Sequence, residues 1–195
     1  MKHIYCIRHG LAMHNVLYKK YGTPIFSDPH YVDTLLVPEG HKQSIQLGKT
    51  WTDINKIELV IVSPLKRTLD TAINIFQDKQ VPIVALDESR EYPLGLHTCN
   101  KRRYKEELEI LYPTVDFSSL ETNYDNLWNS KQYETIESLQ KRIDNVLNYI
   151  KQLDQTNIAL INHSSFLSHM IHKHIPLLDN KEKELEHCQP YLFKL

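Results

Sequence analysis

Four short apolar runs stand out along the chain: Ile4 to Ile7, Leu59 to Val62, Val81 to Leu86 broken by Pro82, and Ile158 to Ile161. Each is short, rich in β-branched residues and bounded by polar or turn residues, which predicts a buried strand. Helical patterns separate them. Pro38-Glu39-Gly40 leads into Ile45, Leu47 and Trp51. Ser63-Pro64 predicts a cap and first-turn proline before Leu65, Leu69, Ala72, Ile73 and Phe76 at helical spacing. A longer stripe from Glu134 to Leu153 carries Ile136, Leu139, Ile143, Val146, Leu147 and Ile150 toward a core. Strands alternating with helices predict an α/β fold, a three-layer sandwich with a mostly parallel central sheet flanked by helices. Gln189 to Leu195 could add a final edge strand. The segment from about Asp87 to Lys131 is the least regular and reads as an insertion over one rim of the sheet. No linker or internal repeat divides the chain, so residues 1–195 are read as a single domain.

Composition narrows the function classes. Lys+Arg 23 against Asp+Glu 24 gives a net charge of −1, so no global field draws the chain to nucleic acid or anionic lipid. With 41% hydrophobic residues and no apolar run near the ~20 residues of a membrane span, a soluble folded protein is expected. The opening MKHIYCIRHG lacks the apolar stretch of a signal peptide, and the three cysteines are scattered, which fits a cytoplasmic home with free thiols. The five glycines assemble no nucleotide-binding loop, so ATP-loop and dinucleotide readings fall.

The informative feature is a convergence. Ligands of open α/β sheets sit beyond the carboxyl ends of the strands. The first strand runs into Arg8-His9-Gly10, with Asn15 further on; the second is followed by Arg67; the third by Glu88, Arg90 and Glu91; the fourth by His163-Ser164. Two arginines, two histidines and a carboxylic acid at one rim suit a tetrahedral oxyanion, because guanidinium offers permanently charged bidentate donors to phosphate. Helix N-termini after Ser63 and His163 would add backbone donors. In such a pocket a histidine with a free ring nitrogen can be a nucleophile, kept unprotonated by the neighbouring positive charge.

These residues resemble the histidine phosphatase superfamily, in its phosphoglycerate-mutase-like branch. The likeness rests on Arg8-His9-Gly10 with Asn15, Ser63-Pro-Leu-Lys-Arg67-Thr68-Leu-Asp-Thr71-Ala72, then Glu91 and His163, with Asp33, Leu36, Gly40 and Gln43 in the family's segment before its first long helix. The runs from Arg90 to Arg103 and from Tyr112 to Phe117 further resemble the mutase-like phosphatases of fungi and plants. The resemblance implies a phosphohistidine mechanism: His9 as nucleophile, Arg8, Arg67 and His163 holding the phosphoryl group, Glu91 protonating the leaving oxygen and later activating water, and Asn15 touching substrate or phosphate. It implies no metal and no cofactor. The last motif, His163-Ser164-Ser165, departs from the family's common His-Gly.

Other readings compete at several positions. Glu88 and Glu91 are both candidate loop carboxylates, and only the resemblance selects Glu91. His169, His172 and His174 are read as surface or packing residues, although the i,i+3 spacing of His169 and His172 could seat a metal. Lys101-Arg102-Arg103 is either a solvated helix start or a substrate gate, with Arg103 the candidate substrate contact. Cys6 is read as core, and Ser164 and Ser165 lack the setting of a serine hydrolase nucleophile. The leading function is a metal-independent phosphomonoesterase acting on a small phosphorylated substrate or a phosphoprotein. The alternatives are a phosphoglycerate-type mutase and an inactive phospho-ligand binding module.

Overall fold

The computed structural model describes residues 1–174 and 185–195. Six strands form one sheet: β1 (His3–Arg8), β2 (Leu59–Val62), β3 (Ile83–Ala85), β4 (Val115–Asp116), β5 (Asn157–Asn162) and β6 (Pro190–Lys194). Their order across the sheet is β4-β3-β2-β5-β1-β6. All neighbours are parallel except β6, which pairs antiparallel with β1 at the edge. Among the described residues six α-helices accompany them: α1 (Met13–Tyr21), α2 (Pro38–Thr50), α3 (Lys66–Phe76), α4 (Lys105–Leu111), α5 (Ile136–Gln152) and α6 (Ser164–His174).

The two-residue period of the strands sorts the core into two layers. Tyr5 and Ile7 of β1, Val60 and Val62 of β2 and Ala159 and Ile161 of β5 pack with Leu47 and Trp51 of α2 and Leu69, Ala72 and Phe76 of α3. The alternate residues Ile4, Cys6, Leu59, Ile61, Ile158 and Leu160 pack with Leu139, Ile143, Val146 and Ile150 of α5 and Phe166 and Met170 of α6. A strand buried on both faces has no polar side to show, which is why these runs are continuously apolar. The result is the expected α/β three-layer sandwich.

Local details differ from the sequence reading. The third strand begins only at Ile83, although the Pro82 carbonyl still accepts from Val60 N–H at 2.9 Å. Ser63-Pro64 does not start α3; the helix opens at Lys66, whose N–H donates at 2.9 Å to the Asp33 carboxylate. The segment 87–131 is less irregular than expected, since it contributes α4 and the edge strand β4. α1 has no counterpart in the apolar pattern because His14 is its only buried residue. Among the described residues no helix is long and apolar enough to cross a membrane.

Candidate active site

The adjacent strands β1, β5 and β2 end side by side. Asn162 at the end of β5 accepts His9 N–H at 2.9 Å, so the residue after β1 is tied to the neighbouring strand. The following turn is fixed on α3 and α2: Gly10 N–H donates to Thr71 Oγ1 at 3.0 Å and Leu11 N–H to Gln43 Oε1 at 2.9 Å. Here two backbones approach so closely that a Cβ on Gly10 would lie 2.5 Å from the Gly40 carbonyl oxygen, and one on Gly40 would lie 2.1 Å from that of Leu11. Glycine at both positions therefore sets the path of the chain beyond His9.

His9 is buried, and its ring Nδ1 lies 2.7 Å from the Gly10 carbonyl oxygen. A carbonyl only accepts, so the proton sits on Nδ1 and Nε2 keeps its lone pair. Burial, followed by the charges of Arg67, His163 and Arg8, holds the imidazole well below its usual pKa, and the ring is neutral. The His163 ring stands 5.2 Å from it, centroid to centroid. Its Nε2 is 2.8 Å from Ser63 Oγ, while Nδ1 is buried without a hydrogen-bond partner among the described residues. With Ser63 Oγ–H donating to Nε2, the neutral ring carries its proton on Nδ1. Burial and Arg67 depress this pKa too.

Arg67 is fully buried on the first turn of α3. It donates to the Cys99 carbonyl at 2.8 Å and to Asn100 Oδ1 at 3.0 Å, leaving Nε without a partner among the described residues. Arg8, also buried, donates to the Leu185 carbonyl at 2.8 Å. Glu91 reaches the start of α6, where Oε1 accepts from Tyr92 N–H at 2.8 Å and Phe166 N–H at 3.0 Å, and Oε2 from Ser165 N–H at 3.3 Å. Burial nevertheless raises its pKa, against the pull of those donors and of Arg67. At the two helix ends expected to offer donors to an anion, the Lys66 N–H of α3 thus goes to Asp33 and the Ser165 and Phe166 N–H groups of α6 go to Glu91. Arg8, Asn15 and Glu91 line a common cavity of about 460 Å³, together with His14, Tyr18, Phe26 and His97.

Comparison with known proteins agrees with this geometry. A sequence model of the histidine phosphatase superfamily (branch 1) matches residues 4–189. The chain belongs to that superfamily. Phosphoglycerate mutase-like protein 1 of Arabidopsis thaliana is 34% identical over 200 residues, covering 87% of this chain and 71% of the relative. A second phosphoglycerate mutase-like protein of that plant is 30% identical over 197 residues, covering 85% and 72%. Among solved structures, the α-ribazole phosphatase of Shigella flexneri superposes with a TM-score of 0.68 at 18% identity, covering 99% of this chain and 90% of that one. Phosphoserine phosphatase of Entamoeba histolytica, solved with 3-phosphoglyceric acid, gives 0.62 at 22% identity, covering 100% and 91%. These two likenesses concern the fold.

In this member of the histidine phosphatase superfamily the remaining sequence candidates take definite places. Glu88 bonds to Asn145 of α5 at 2.8 Å and lines other cavities, away from Arg8. Asn15 accepts Ala12 N–H at 3.1 Å and donates one Nδ2 hydrogen to His14 Nε2 at 3.1 Å, so its second Nδ2 hydrogen is the group it can offer to an oxyanion. Arg103 is not among the residues lining the cavity; it donates to the Val32 carbonyl at 3.3 Å. Arg102 is a buried cross-link to Asp87 and to the carbonyls of Thr122, Asn123 and Tyr124 and is not among the residues lining the cavity. Ser164 opens α6 with helical backbone, so that position makes no demand for glycine. His169 bonds to the Ser165 carbonyl and lines the cavity, His172 is exposed, and the His174 side chain lies outside the described residues. Among the described residues no group of three or more His, Cys, Asp or Glu side chains could hold a metal ion.

Sequence reasoning missed His14 and His187, whose rings stand 5.9 Å and 5.5 Å from that of His9. His14 adjoins Asn15, and that adjacency was the available signal. His187 carried none, because only the pairing of the edge strand β6 brings its Nδ1 to the His9 carbonyl at 2.6 Å.

Proposed function

We propose that this chain is a metal-independent phosphatase that hydrolyses phosphomonoesters through a phosphohistidine on His9. The observation that carries the reading is the neutral His9 ring, its proton held on Nδ1 by the Gly10 carbonyl, set among Arg67, His163 and Arg8, the last of which lines a cavity together with Glu91. In the first step Nε2 attacks phosphorus, the ester P–O bond breaks, and the departing oxygen takes the proton of Glu91. In the second, Glu91 removes a proton from water, whose oxygen attacks phosphorus; the P–N bond breaks and inorganic phosphate leaves. Glu91 ends protonated and His9 neutral. The raised pKa of Glu91 favours its acid form at the start of the cycle. Arg8, Arg67, His163 and Asn15 would hold the equatorial oxygens, supplying the charge for which other phosphatases use metal ions.

Residues 91–100 contribute Glu91, Tyr92, His97, Cys99 and Asn100 to the cavity, which supports a selective role for the 87–131 segment of a single domain. The substrate would be a small phosphomonoester or a phosphoprotein side chain, with no nucleic acid or membrane partner. Three buried free cysteines suit a cytoplasmic setting.

Rapid mixing of the Glu91→Gln variant with p-nitrophenyl phosphate tests the mechanism. The nitrophenolate departs without a proton, but the second step lacks its base. A burst of about one product per site should precede slow turnover, with acid-labile, base-stable phosphate on His9. His9→Ala should abolish turnover, and EDTA should leave the unmutated enzyme's rate intact. Retained turnover in His9→Ala, or a burst in Glu88→Gln in place of Glu91→Gln, overturns the assignments.

A further inference from the structure

The cavity is several times larger than a phosphate needs, and within the roughly 300–1,000 Å³ range of sites that enclose an organic ligand. Beyond the phosphoryl contacts its wall includes Asn100, Ser164 and Ser165 and, more extensively, aromatic rings. Tyr18 of α1 stacks on Phe26 with centroids 5.0 Å apart at 15°, and the His97 ring tilts over Phe26 at 5.2 Å. From the other elements around the cavity, Tyr92 meets His169 of α6 at 5.3 Å. Phe26 also meets His14 at 6.1 Å and His97 meets Tyr133 at 5.2 Å, yet Tyr18 remains 46% exposed and Phe26 and His97 only half-buried, so each ring keeps part of its surface uncovered along the cavity. Burial lowers the His97 pKa, which makes it a neutral ring. Among the described lining residues Arg8 carries the permanent charge, and Glu91 is the proton donor. Arg8 is taken by the phosphoryl group, so among these described residues no further permanent cation is left for the carboxylate of a phosphorylated sugar acid.

We propose that the leaving group is an alcohol carrying a flat apolar ring, seated against Tyr18, Phe26 and His97, and that phosphorylated sugar acids are poor substrates. This rests on the phosphatase reading above. Offset or edge contacts with aromatic faces and removal of the ring from water would both contribute to its binding.

Steady-state rates with benzyl phosphate, ethyl phosphate and 3-phosphoglycerate test the proposal. All three leave as alkoxides, so each makes a similar demand on the proton donor and the comparison reads recognition of the leaving group. The expected kcat/KM for benzyl phosphate exceeds both others by about tenfold or more. The benzyl-to-ethyl ratio should collapse toward one in Phe26→Ala and persist in Phe26→Tyr. A ratio near one in the unmutated enzyme, a preference for 3-phosphoglycerate, or an unchanged ratio in Phe26→Ala overturns the inference. If not even p-nitrophenyl phosphate is hydrolysed, the phosphatase reading fails separately. Calorimetric titration with benzylphosphonate and methylphosphonate then decides: tighter binding of the benzyl compound supports the aromatic wall, and equal affinities overturn it.

Discussion

Asp33 shows how one residue serves the site from outside it. Its backbone sits at φ 49°, in the left-handed region that Asn and Asp tolerate best, and its carboxylate is buried. Oδ1 accepts the first N–H of α3, Lys66, one residue before Arg67, while Oδ2 has no hydrogen-bond partner among the described residues. Burial pushes its pKa up to about 7, against the attraction of Arg67 and Arg103. A folded-state pKa above the unfolded value means that the native chain holds more protons between about pH 4 and 7. Stability therefore falls as pH rises through that window, and the loss is complete above it. Asn keeps the acceptor and the backbone conformation without the charge. Asp33→Asn should thus be more stable than the unmutated protein by about 2–4 kcal/mol at pH 8, with the gap closing toward pH 4. Urea unfolding at both pH values measures this, and a gap independent of pH would refute it.

The loop bearing Glu91 depends on a clamp between elements. Arg142 of α5 binds Glu134 through Nε at 2.6 Å and Nη2 at 2.7 Å, and its Nη1 holds the carbonyls of Glu88 at 2.6 Å and Arg90 at 2.9 Å. Both side chains are nearly enclosed, so removing one partner strands a buried charge. Arg142→Met should cost roughly 3–5 kcal/mol, and the double variant Arg142→Met/Glu134→Leu should recover most of that. Because neither variant restores the carbonyl contacts, both should keep a lowered kcat for phosphate ester hydrolysis. Thermal melts and steady-state rates check the two halves of the argument; a double variant with full kcat would show that the clamp has no part in placing Glu91.

At the scale of the whole molecule, the site is a junction. Arg8 and His9 come from β1, Arg67 from α3, Glu91 from the loop after β3, His163 from the end of β5, and Leu185 and His187 from the C-terminal segment. An oxyanion held by these groups, with Arg67 Nε and His163 Nδ1 ready to donate, ties together elements far apart in sequence. Orthovanadate at one hundred times its Kd should stabilise the fold by about 2.7 kcal/mol. That corresponds to a rise in Tm of roughly 5–10 °C for a chain of this length. The rise should shrink strongly in Arg67→Met. An equal rise in that variant would place the anion elsewhere.

The apolar runs by themselves determined the layers, because a strand buried on both faces must be apolar throughout and α3 and α5 must each turn one apolar stripe inward. They also determined which chain positions reach the sheet's carboxyl rim, and so made Arg8, His9, Arg67, His163 and the pair Glu88 and Glu91 legible as one group. Only the tertiary structure decided what lies between those positions. It separated Glu91 from Glu88, set Arg102 and Arg103 to structural bonds, put Asp33 in place of Ser63 at the start of α3, and brought His14 and His187 to His9. The physical reason is that burial leaves a periodic mark on the sequence, whereas a polar contact between distant residues has no period. It exists only once strand order and loop path have put donor and acceptor within hydrogen-bond reach.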